Sequence, residues 1–164
     1  AIAACVYLAE KGVSVNDIKI FMANNFDYDI NLDENSLIAN HVFSPLASVT
    51  VPIAIWAALK GPTFEDVMAR CLLIGGDTDT IAAMAGAISE HLYGIPKYMK
   101  EKALEILERD GPCLYDEYDE FTKEMSYRKA KEAVSEFGEG TNASNPIKRS
   151  RRTSIYSTFK SWFF

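Results

Sequence analysis

The chain is predicted to be an all-α helical bundle, and three observations predict it. Capping residues recur at the spacing of short helices. The apolar residues behind each cap follow the period of a helix, and no convincing strand alternation occurs. Of the 164 residues, 48% are apolar and 24% charged, which suits one domain burying roughly two-thirds of its surface and excludes a wholly disordered chain.

Each element can be justified in order. The first segment runs from Ala1 through Cys5 and Leu8 to Gly12 and reads as an apolar helix without a cap at its start. It has no initial Met, so the chain is expected to be the C-terminal portion of something longer, a processed chain or an incomplete gene model. Ser14-Val15-Asn16-Asp17 opens a second helix carrying Ile18, Ile20, Phe21 and Met22. Residues 24–36 are dense in Asn and Asp and read as loop. Thr50 precedes Val51-Pro52, and proline suits a first helical turn. That helix carries Ile53, Ile55, Trp56 and Leu59 and ends near Gly61. Thr63-Phe64-Glu65-Asp66 starts the next, which carries Val67, Met68, Cys71 and Leu72 and stops at Gly75-Gly76. Helices over 80–93, 96–110 and 114–137 follow, the last charged and closed by Gly138. Residues 1–138 are therefore expected to form one helical domain, and 139–164 a basic, Ser/Thr-rich, disordered tail.

Charge sharpens that division. Residues 141–164 hold five basic side chains and no acid, while the rest holds 12 basic and 23 acidic ones. An acidic body argues against nucleic acid as a partner, since binding phosphates requires an excess of Lys and Arg. No apolar run approaches a membrane span and no signal peptide leads the chain, so no stable membrane association is expected. Cys5, Cys71 and Cys113 are odd in number and widely spaced, with neither a disulfide framework nor zinc spacing. A reducing, cytoplasmic setting is the simple expectation. In the tail, Arg151-Arg152-Thr153-Ser154 has the pattern of a basophilic kinase site.

The chemistry concentrates in Leu73-Ile74-Gly75-Gly76-Asp77-Thr78-Asp79-Thr80 and the Ala-rich helix behind it. Two glycines permit a tight turn with positive φ. If the backbone curls, Asp77 and Asp79 can reach one place, with Thr80 beside them at a helix N-terminus. Two carboxylates and a hydroxyl are the hard oxygen donors magnesium prefers. Ordinary helix capping by the same residues is the competing reading. Ala82, Ala83, Ala85, Gly86 and Ala87 leave the helix almost no bulk, which suits a central position.

The run from Gly75 through Ile88, followed by Tyr93-Gly94-Ile95-Pro96, closely resembles the signature of the ADP-ribosylglycohydrolase family. Thr50-Val51-Pro52-Ile53-Ala54-Ile55-Trp56 and Phe64-Glu65-Asp66-Val67 resemble segments upstream of it, and the likeness covers about residues 1–110. The resemblance implies an all-α bundle with two divalent metals at its centre, usually Mg2+, with Mn2+ as an alternative. It implies Asp77, Asp79 and Thr80 as metal ligands, Asp79 bridging. It implies ADP-ribose or an ADP-ribosylated protein as partner, with cleavage at the distal ribose C1″. His41 falls where the family lines its nucleotide pocket, so it and Ser48 are the substrate-binding candidates; the alternatives are a loop histidine and a helix cap. No catalytic residue is assigned. The Gly-rich opening and the Thr-Asp-Asp motif of the family's N-terminal half do not occur here. The N-terminal part of the bundle is thus expected to be missing, and a further segment or chain to complete the site. The chain alone is then expected to be a poor catalyst, or a non-catalytic relative that binds without turnover.

Overall fold

The structure is a computed structural model that describes residues 1–138; the basic tail and its kinase-like motif lie outside the described residues. All regular structure among the described residues is helical. Contacts divide the chain into a unit of Ala1–Arg109 and a second from Asp110 onward.

The first unit is organised by its most buried helix. α4 (Ala47–Lys60) buries Thr50 and every residue from Pro52 to Leu59, so it is enclosed on all sides. It packs on α6 (Thr78–Tyr93) and α5 (Phe64–Ile74), and α6 also packs on α5 and on α1 (Ile2–Glu10). The Ala-rich helix therefore touches three others, the central position expected for it, while α4 is the more deeply buried. α2 (Val15–Asn25) packs on α1, and the short α3 (Glu34–Asn40) on α5. Ile18, Met22, Ile55, Val67, Ile81 and Ile88 are the large side chains fully withdrawn from water. Truncating one such isoleucine to Ala typically costs about 2–5 kcal/mol.

Caps explain most boundaries. Ser14, Asp33 and Thr63 each accept a hydrogen bond from the N–H three residues on, Asp17, Ser36 and Asp66 respectively. α3 was read as part of a loop; the Asp33 cap and the following Leu37 and Ile38 make a helix of only seven residues. α4 starts at Ala47 and not at Thr50. Neither Ser48 nor Thr50 caps it: Thr50 lies inside the helix and turns its hydroxyl back to the Leu46 carbonyl at 3.3 Å. Pro52 consequently sits in the second turn, where it cannot donate to the Ser48 carbonyl. At the other end of α4, the Tyr93 hydroxyl donates to the Ala58 carbonyl at 3.1 Å and fastens α6 to it.

Cys5 and Cys71 are buried, and burial pushes their thiols up to about 12 and about 11 respectively; Cys113 is exposed. Gly86 has ordinary room around it, since an added Cβ would lie 3.5 Å from Met68 Cε. α7 (Lys97–Asp110) buries none of its side chains. In the second unit, α8 (Pro112–Gly138) begins with proline at the first helical position. Its Asp116, Glu117 and Glu120 are exposed, as a wet charged face requires, and Asp119 pairs with Lys123 along the helix. No helix of the described residues is long and apolar enough to cross a membrane.

Candidate metal centre

The turn between α5 and α6 is built on Gly75 (φ 74°) and Gly76 (φ 71°), both in the left-handed region that side chains disfavour. Beyond them Asp77 occupies the N-cap position of α6 with φ −82° and ψ 62°, outside the extended geometry of the other acidic and hydroxyl caps. Its side chain makes no capping hydrogen bond. The capping role that the sequence offered for Asp77 is therefore absent, and its carboxyl is left for its neighbour.

That neighbour is Asp79. Its Oδ1 accepts the Thr80 N–H at 3.0 Å. The exposed Asp79 carboxyl is held below the usual carboxylate range, first by the Thr80 N–H, then by a hydrogen bond with the Asp77 side chain, then by its own N–H. A cation placed between two such carboxylates would relieve the repulsion between their like charges. The start of α6 adds the partial positive charge of its free N–H groups. Thr80 is exposed in the same first turn.

The donor set fits a hard divalent cation in kind: two carboxylates and one hydroxyl, all oxygen. It is short in number. Among the described residues no group of three or more His, Cys, Asp and Glu side chains is placed to hold a metal. With one oxygen from each side chain the turn fills three of six octahedral positions, and water or other groups would supply the rest.

His41 comes to the same turn from α3. It is the C-cap residue of α3, and a Cβ on Gly76 would run into its imidazole ring. Its Nε2 is buried and has no hydrogen-bond partner. Leaving a buried donor or acceptor unmade typically costs about 1–3 kcal/mol, which a bound group would relieve. His41 also lines a cavity of about 350 Å³ with Asp33, Ser36 and Asn40. Val42, Phe43 and Leu46 follow it as exposed apolar side chains. Ser48, the other substrate candidate, stands exposed in the first turn of α4 and is not part of that lining.

The sequence reading overlooked one arrangement. Arg70 of α5 pairs with Glu34 at the start of α3, and its guanidinium lies 5.5 Å from the ring centre of the buried Trp56. It ties α3, and so the His41 end of α3, to the body. Reading 24–36 as loop hid Glu34; an Asp33 cap followed by an acidic first turn was the available signal.

No curated protein and no solved structure gives a match to this chain. The family model described as ADP-ribosylglycohydrolase matches residues 14–134. That match starts later than the likeness read from the motifs and runs further, into α8. With the Gly-Gly-Asp-Thr-Asp-Thr turn between two packed helices of an all-α body, the chain belongs to the ADP-ribosylglycohydrolase family.

Proposed function

We propose that this member acts as a Mg2+-dependent hydrolase that removes ADP-ribose from modified proteins or small acceptors. The observation that carries the reading is the Asp77 carboxyl, which makes no capping bond to the helix it begins and lies two residues before the exposed Asp79. Asp77, Asp79 and Thr80 would hold the cation. When bound, a divalent ion orients hydroxyls and raises the acidity of water. The chain's own contribution is to keep two negative side chains on a turn fixed by Gly75, Gly76 and the packing of α5 against α6. In the overall reaction the C1″–acceptor bond breaks, water oxygen bonds to C1″, and a water proton passes to the acceptor. The His41 cavity beside the turn is the candidate place for the nucleotide portion. The three free cysteines suit a reducing, cytoplasmic setting.

Titration calorimetry with Mg2+ and Mn2+ tests the metal reading. Binding lost in Asp79→Ala is expected; equal binding by wild type and variant would sink it. A second reading is favoured by the small donor set: a binding protein without turnover. ADP-ribose binding with no release from an ADP-ribosylated peptide, under excess Mg2+, selects that reading, and measurable release rejects it.

A further inference from the structure

We propose that a second cavity, between α2, the segment after it and the end of α4, binds a small dianion carrying a flat apolar body. The cavity measures about 240 Å³ and shares no lining residue with the acidic turn. Lys19 and Lys60 both line it. Neither takes part in the ion pairs found among the described residues, although the chain holds 23 acidic residues to 17 basic. No Asp or Glu lines the cavity, so an anion there meets two positive side chains and no like charge. The wall between them is apolar: Ile30, Trp56 and Leu59 line the space and are otherwise buried. Asn31 adds an amide at the same place, while its backbone N–H is already spent on Asp29.

Size sets the class of ligand. A cavity of ~150 Å³ holds a benzene ring, and sites for drug-sized molecules begin at about 300 Å³. A single ring bearing a phosphate or a pair of carboxylates lies between these limits. The two lysines take the charges and the Trp56 wall takes the ring.

The chain has two tryptophans, Trp56 and Trp162. In full-length Trp162→Phe protein, Trp56 alone reports on the cavity by fluorescence. Phenyl phosphate is titrated against inorganic phosphate, which tests the headgroup, and phenol, which tests the ring. Phenyl phosphate is expected to bind at least tenfold more tightly than either. Lys19→Gln/Lys60→Gln is expected to weaken it at least tenfold with the helical circular dichroism unchanged. Ile30→Phe, which fills the space and keeps both charges, is expected to abolish it. Equal affinity for phenyl phosphate and inorganic phosphate, unchanged affinity in the double lysine variant, or no response of Trp56 would each overturn the proposal.

Discussion

Two helix starts fourteen residues apart look alike as sequence and differ as structure. α5 begins Thr63-Phe64-Glu65-Asp66, and the Thr63 hydroxyl accepts the Asp66 N–H at 3.1 Å while donating to the Asp66 carboxylate at 2.7 Å. The cap hydroxyl and the Asp66 carboxylate there satisfy one another. α6 begins Asp77-Thr78-Asp79-Thr80, and the residue in the capping position makes no capping bond. Two glycines at positive φ precede it, and its own backbone lies outside the extended geometry of the other caps. A start that satisfies itself is a structural device. One that leaves its acid to a second acid is available to something outside the chain.

The largest expected effect separates the two starts by ligand. Asp79→Ala should abolish Mg2+ or Mn2+ binding by calorimetry, whereas Thr63→Ala should leave it unchanged; a parallel loss in both would erase the distinction. Next comes Gly76→Ala. It forces a Cβ into the His41 ring at a positive φ, so unfolding should show a loss of about 1–3 kcal/mol; an unchanged denaturant midpoint would mean that neither the φ nor the ring constrains the turn. Third is the cap itself. Thr63→Ala should lower stability by about 1 kcal/mol, and Asp77→Ala by less, because only the first removes a capping bond. Denaturant midpoints ranking these two in the opposite order would show that Asp77 is a cap after all. The smallest effect lies one helix face away. Gly86→Ala should stabilise α6 by up to about 1 kcal/mol, since the added methyl meets Met68 at ordinary contact distance. A destabilised Gly86→Ala would mean that α6 needs its glycine for close packing.

The helical class and most boundaries were legible because capping residues and apolar period speak locally. Ser14 and Thr63 cap where their spacing says they should. The misreadings have physical causes. Seven residues are too few for a periodic signal to rise above an Asn/Asp-rich stretch, so α3 was hidden. Proline at 52 suggested a first turn, but burial of nearly the whole helix outweighs one missing hydrogen bond, and α4 starts earlier. For the site, the acidic turn was legible from its glycines and its spacing. The approach of His41 to Gly76 was not, because it depends on where Arg70 and Glu34 hold α3. Tertiary placement of that kind leaves no trace in local sequence.

His41 and His91 are the chain's only histidines. One is lodged against the glycine turn and the other stands exposed on α6. The aromatic proton spectrum therefore offers a built-in sensor and its own internal reference: a signal that shifts whenever the turn changes occupancy or shape, beside one that stays put. No label need be introduced to watch the turn at work.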